Sequence, residues 1–130
     1  MTSRTQQDDT VMHALDSFFE ALNARDPHRL AAVCHFPNVR LAGGDMKIWR
    51  TREEFIRDSG LAGIPLESEW HHTSWDARTI VQRSDDKVHV MVTFTRHMAD
   101  GMPISTFDSF YVLTQYQGHW GIQIRSSFAP

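Results

Sequence analysis

Residues 88–113 read VHVMVTFTRHMADGMPISTFDSFYVL, and the fold turns on this stretch. Apolar and polar residues alternate on both sides of Asp100-Gly101 with the period of two that half-buried strands show. An Asp-Gly pair between two such runs predicts a tight two-residue hairpin, with Ala99 opposite Met102. Counting outward, Phe94 then faces Phe107, Val92 faces Ser109 and Val90 faces Tyr111. Directly opposed residues share a sheet face, so parity alone sorts these side chains into inward and outward sets.

The same counting extends to the neighbouring strands. Gln117-Gly118 predicts a second reversal, with Leu113 opposite Ile122 and Tyr111 opposite Ile124, and Ser84-Asp85-Asp86-Lys87 marks a third. Four strands are thus expected between about Glu69 and Phe128. Their inner face would hold Val88, Val90, Val92, Phe94, Phe107, Tyr111, Leu113, Trp120, Ile122 and Ile124, joined by Trp75, Ala77, Thr79 and Val81. The outer face would carry His89, Met91, Thr93, Thr95, Asp108, Phe110, Gln123 and Arg125 among others. That face is too apolar for a purely solvated one, and the chain has too little helix to cover both. A second copy of the chain is the expected cover, making a homodimer.

Ahead of the strands the period changes to that of helices. Val11, Leu15, Phe18, Phe19 and Leu22 form the apolar stripe of an amphipathic helix from about Asp8 to Ala24. Residues 1–8 read as a flexible N-terminus. Asp26-Pro27 offers an N-cap followed by proline at N1 and opens a short second helix, with Leu30, Ala31, Val33 and Cys34 buried. His35-Phe36-Pro37 is expected to end it. Short strands Val39–Ala42 and Met46–Trp49 flank Gly43-Gly44-Asp45. Thr51 and Glu54 are spaced as a capping box for a third helix carrying Phe55, Ile56 and Leu61, punctuated by Gly60, Gly63 and Pro65.

Composition bounds the rest. The 130 residues fit one domain, spanning 1–130. With Lys+Arg 13 and Asp+Glu 16 the net charge is −3, so no basic face dominates and no nucleic-acid partner is expected. No apolar run is long enough to span a membrane and no secretory signal is evident at Met1–Asp9, which reads as a cytoplasmic protein with no membrane partner. The one cysteine, Cys34, excludes an internal disulfide and a thiolate-cluster metal site. Gly43-Gly44 lacks the flanks of a phosphate loop, and no serine lies in a nucleophile elbow.

The order of these elements resembles the nuclear transport factor 2-like superfamily, also called SnoaL-like. The likeness is carried by Phe18-Phe19-Glu20-Ala21-Leu22-Asn23-Ala24-Arg25-Asp26, His35-Phe36-Pro37-Asn38-Val39-Arg40, Thr51-Arg52-Glu53-Glu54-Phe55 and His119-Trp120-Gly121-Ile122-Gln123-Ile124. The resemblance implies an α+β, cystatin-like cone of three N-terminal helices packed on a curved, mostly antiparallel sheet. It also implies a pocket between sheet and helices, and dimers formed through the outer sheet face. It does not fix an activity, because the superfamily mixes isomerases, dehydratases, cyclases, hydrolases and non-catalytic modules.

Acid–base enzymes of this kind need a carboxylate or imidazole beside the substrate. The inner-face list has no Asp or Glu, since Asp76 and Asp108 fall outside by parity. Candidate catalytic groups are therefore His35, at the expected mouth of the cone, His71, which shares parity with Trp75, and Tyr111 as hydrogen-bond donor. Candidate ligand contacts are Trp49, Phe55, Trp70, Trp75, Phe94, Phe107 and Ser109, with Arg96 placed to hold a carboxylate or phosphate unless it pairs with an acid such as Glu69. His71-His72 makes a poor metal pair because strand neighbours diverge, so neither metal nor cofactor is expected. The expected function is binding of a small apolar or weakly anionic molecule. The alternatives are a cofactor-independent isomerase or lyase and a purely structural dimerisation module.

Overall fold

The computed structural model describes residues 3–58 and 66–130. Leu61, Gly60, Gly63 and Pro65 lie outside the described residues. Helix α1 (Arg4–Asn23) and helix α2 (Pro27–Ala32) come first, then strands β1 (Cys34–Ala42) and β2 (Asp45–Trp49), and helix α3 (Arg52–Arg57). Strands β3 (His72–Arg83), β4 (Lys87–His97), β5 (Pro103–Tyr116) and β6 (His119–Ser127) complete the chain. They form one curved, unclosed sheet in the order β2-β1-β6-β5-β4-β3, an α+β architecture of the cystatin-like kind. All neighbours are antiparallel except β1 and β6.

The helix signals act as expected, with shifted ends. In α1 the apolar stripe Val11, Leu15, Phe18, Phe19 and Leu22 is buried. The helix starts earlier than expected, at Arg4: Ser3 and Gln6 make a reciprocal capping box, and the Gln7 side-chain amide donates to the Ser84 carbonyl. Asp26 caps α2, accepting from the His28 and Arg29 amides at 3.1 Å each. Asp26→Ala should cost about 1 kcal/mol, the usual worth of such a cap, and show as a lowered urea midpoint. Thr51 caps α3, but Glu54 accepts from the Arg50 amide, one residue before the cap expected for a closed box.

Cys34 is not on α2. The helix stops at Ala32, and Cys34-His35-Phe36-Pro37 begins β1, where a register irregularity between Cys34 and Val39 lets the strand accommodate a cis Pro37. Gly43 and Gly44, at φ +61° and +75°, close the β1–β2 hairpin as two-residue loops require.

The central register agrees with parity: Phe94 pairs with Phe107, Val92 with Ser109 and Val90 with Tyr111. The turn itself differs. The Gly101 amide donates to the Met98 carbonyl and Gly101 sits at φ +91°, so Ala99-Asp100 form the bend and Met98, not Ala99, bonds Met102. A bulge between Arg96 and His97 then restores the expected pairing.

Bulges elsewhere reverse expected assignments. Register shifts between Trp75 and Ala77, and between Ile80 and Gln82, put Arg78 opposite Val92 and Ile80 opposite Val90. Ala77, Thr79 and Val81 are therefore exposed rather than inward. A shift between Val112 and Leu113 keeps Leu113 opposite Ile122 but sets Tyr111 opposite Arg125 and Val112 opposite Ile124. Ile124 is thus 41% exposed and Arg125 only 3%, the opposite of simple alternation. The core lies between α1 and the inner sheet face, with Val11, Leu15, Phe18, Val88, Val90, Leu113 and Ile122 all almost fully buried.

Candidate functional site

A cavity of about 30 Å³ lies between α1 and the sheet. Phe18, Phe19, Leu22 and Leu30 line it from the helices, with Leu66, Thr73, Phe94 and Ser127 at its sides. Its polar wall is Arg40, Arg96, Tyr111 and Arg125. Three of these stand in register across adjacent strands: Arg40 of β1 pairs with Arg125 of β6, and Arg125 with Tyr111 of β5.

All three guanidinium groups are buried, at 6%, 2% and 3% exposure for Arg40, Arg96 and Arg125. The Arg40 Nη2 donates to the main-chain oxygen of Pro130 at 3.1 Å. Arg96 faces Glu67 at 3.4 Å and lies over the Phe107 ring at 5.1 Å. Arg125 stands over the Phe18 ring at 5.2 Å, but its buried Nε and Nη2 have no hydrogen-bond partner among the described residues.

The charges act on one another. Burial, helped by the nearby Arg125, lowers the Arg40 pKa to about 10. Burial also lowers that of Arg96, partly offset by Glu67. It raises the Tyr111 phenol, against the pull of Arg125, Arg40 and Arg96, so Tyr111 stays protonated and can donate. Burial alone would raise Glu67, but the Ser105 hydroxyl, donating at 2.7 Å, and Arg96 bring it below its ordinary value. A carboxylate held in this way is a weak proton acceptor at neutral pH.

The expected residues scatter around this cavity. Phe94, Arg96 and Tyr111 line it. Phe107 packs behind Arg96, and Ser109 donates to Ser127 at 2.6 Å. Trp75 stacks on Phe19 with centroids 3.6 Å apart and donates to the Leu15 carbonyl. Trp49 and Phe55 pack edge to face near α3, and the Trp49 Nε1 donates to Asp58. Trp70 donates to Thr73 beneath Arg25. These tryptophans, with Phe55, build walls and core rather than the cavity surface. Arg96 pairs with Glu67, not Glu69. Asp76 and Asp108 are exposed on the outer face, bonded to Thr95 and Thr93.

Neither candidate histidine reaches the cavity. His71 is exposed, its Nδ1 3.0 Å from that of His72. His35 is buried at the β1–β6 junction, its Nε2 3.0 Å from the His119 carbonyl oxygen and its ring stacked on Tyr116. With Cys34, Phe36, Arg52 and Tyr116 it lines a different hollow, separate from the arginine cavity. Beside it burial pushes the Cys34 thiol up to about 12, as befits an inert core residue. Among the described residues no group of three or more His, Cys, Asp or Glu could hold a metal ion. No described helix is long and apolar enough to cross a membrane.

Burial lowers the His35 pKa despite its contacts to carbonyls. The unfolded chain, with an ordinary value near 6.5, therefore binds a proton that the folded chain refuses. Stability should be complete above about pH 6.5 and fall as pH drops toward the folded value, by at most about 1.4 kcal/mol per pH unit for this group. Urea midpoints at pH 7.5 and 5.5 should differ less in His35→Gln than in the wild type; equal slopes would refute the assignment.

Arg40, Arg125 and Glu67 were not among the sequence candidates. The available signal was chemical rather than periodic: arginines embedded in the apolar strands VRLA and GIQIR.

The family comparison agrees with this geometry. The model of an NTF2-like protein family, DUF6841, matches residues 7–127. The chain belongs to this NTF2-like family. Among solved structures, an NTF2-like protein from Cytophaga hutchinsonii is 20% identical, covers 95% of this chain and 98% of its own, and superposes with a TM-score of 0.70. A cystatin-like protein of unknown function from Nostoc punctiforme is 11% identical over 98% and 93% of the two chains, with a TM-score of 0.76. A ketosteroid isomerase-like protein from Erwinia carotovora atroseptica is 16% identical over 92% and 93%, with a TM-score of 0.67. At these identities the likeness is one of fold. No curated protein matches the chain.

Proposed function

We propose that this NTF2-like protein binds a small molecule in the cavity between α1 and the sheet, and associates as a homodimer through its outer face. The carrying observation is the composition of the cavity wall. Apolar side chains from the helices face a polar row of Arg40, Arg125 and Tyr111 that a self-filled core would have no reason to bury. Such a mixed lining, mostly apolar with a few convergent polar groups, has the character of a ligand site, and at about 30 Å³ it suits a molecule of only a few atoms. A saturable rise in melting temperature with a bound small molecule should disappear in Leu22→Phe, which adds bulk directly to the cavity wall. A ligand response unchanged by Leu22→Phe would place binding elsewhere.

The outer face supports self-association. Met91 at 57%, Phe128 at 85% and Ile124 at 41% are exposed there, and Ala77, Val81, Met91, Phe110 and Phe128 border an open hollow of about 580 Å³. Contiguous exposed apolar surface of this kind favours burial against a partner. Light scattering should give a dimer for the wild type and a monomer for Phe110→Asp; a monomeric wild type would refute the proposal.

An isomerase or lyase is the second reading. It draws on Glu67, the carboxylate beside cavity-lining Arg96, and on the fold shared with the ketosteroid isomerase-like protein. The hold of Ser105 and Arg96 on Glu67 favours binding over proton abstraction.

A further inference from the structure

We infer that the cavity is a carboxylate site, in which the Nε and Nη2 edge of Arg125 takes both oxygens of the ligand's carboxylate. The inference rests on the reading of the cavity as a ligand site and adds the chemical class of the ligand.

Three observations converge on it. First, Nε and Nη2 lie on the same edge of the guanidinium and form the fork that matches the two oxygens of a planar carboxylate. These are the two buried donors left without a partner among the described residues, on a side chain only 3% exposed. The Phe18 ring occupies one face of Arg125. Buried donors are nearly always satisfied, so a missing acceptor is the expected occupant.

Second, the surrounding charge is positive. Arg40, Arg96 and Arg125 line one cavity; among the described residues Glu67 is already engaged by Arg96 and Ser105, and Asp45 acts on Arg40 more weakly than Arg125 does. Tyr111, protonated and in register with Arg125, adds a donor suited to an oxygen acceptor. An anion on the Arg125 edge relieves the repulsion between Arg125 and Arg40.

Third, size selects among anions. The cavity of about 30 Å³ admits roughly two oxygen-sized groups, a single water needing about 10–15 Å³ on this measure. That suits the head of a carboxylate better than the four oxygens of a phosphate. The same volume leaves little beyond that head, so the smallest acids, formate and acetate, are the ones that fit between Phe18, Phe19, Leu22 and Leu30.

The test titrates the protein with formate and acetate, with their matched amides, and with inorganic phosphate, at constant ionic strength, by calorimetry. The acids should bind saturably and the amides at least about thirtyfold more weakly, the least expected from removing one member of a buried charged pair. Arg125→Lys, which keeps the charge and loses the fork, should weaken the acids at least about tenfold. Arg125→Met should abolish acid binding. Amides binding as well as acids, with both lost in Leu22→Phe, would overturn the carboxylate and leave the ligand site standing. Phosphate binding as tightly as acetate in an Arg125-dependent manner would overturn the size argument and hence the inference. No binding by acid, amide or phosphate would remove the carboxylate and leave the cavity to water. The ligand-site reading would then be judged separately by the Leu22→Phe response to neutral molecules.

Discussion

Arg125→Met should make the empty protein more stable while removing its response to short carboxylic acids. A buried cation whose Nε and Nη2 have no hydrogen-bond partner among the described residues is costly, and here the cost is compounded by Arg40 on the adjacent strand. Methionine keeps most of the length and apolar stem of the arginine, so it removes the charge with little loss of packing. Replacing buried ionic groups by apolar ones of similar volume gains about 1–4 kcal/mol. The lost contact with the Phe18 ring, at 5.2 Å, returns about 0.5–2 kcal/mol of that, so the net gain should lie in the lower half of the range. It should appear as a raised urea midpoint in carboxylate-free buffer. In saturating acetate the order should reverse, because only the wild type gains stability from the ligand. A variant less stable than the wild type by 1 kcal/mol or more in carboxylate-free buffer would show that Arg125 supports the fold rather than a site.

The same residue shows how far the sequence is legible. Alternation around Asp100-Gly101 correctly pairs Phe94 with Phe107 and Val90 with Tyr111, because a buried face penalises any one-residue slip. The hairpin bends one residue earlier than its Asp-Gly pair suggests, yet the bulge between Arg96 and His97 absorbs the difference. At Gln123 an uncompensated bulge turns the strand over. Simple alternation sends Ile124 inward and Arg125 outward; the fold does the reverse.

Strand β1 shows the same inversion without help from its neighbour. Arg40 is 6% exposed while Leu41 beside it is 43% exposed. Two adjacent strands thus bury arginine and expose a large aliphatic residue, against the usual preference of these side chains. Local rules are broken in this concerted way where something other than folding is served. The buried arginines look toward the cavity and the exposed Leu41 and Ile124 toward the outer face, so one inversion supplies both features on which the proposed function rests. The histidine candidates fail for a different reason. His35 has the right neighbours in sequence, but the strand begins at Cys34, not after Pro37, and carries the ring to the β6 junction.

Gly121→Ala should destabilise the protein by about 1–3 kcal/mol, the cost of forcing extra volume into a packed interior. The backbone is not the obstacle, since Gly121 is not among the positive-φ glycines. An alanine Cβ there would meet the His35 ring broadside, 2.8 Å from Cδ2, 3.0 Å from Nε2 and 3.1 Å from Cγ. The ring has nowhere to retreat. Tyr116 stacks on it at 3.8 Å, and its Nε2 is held 3.0 Å from the His119 carbonyl oxygen. Tyr116 in turn accepts from the Phe36 amide and donates to the Phe36 carbonyl, both at 3.1 Å, so displacing the ring disturbs the link between β1 and β5. The two substitutions should be strongly non-additive. With His35 trimmed to alanine the added methyl finds space, so His35→Ala/Gly121→Ala should be no less stable than His35→Ala alone. Additive losses in this cycle would mean that Gly121 is required for something other than room for the His35 ring.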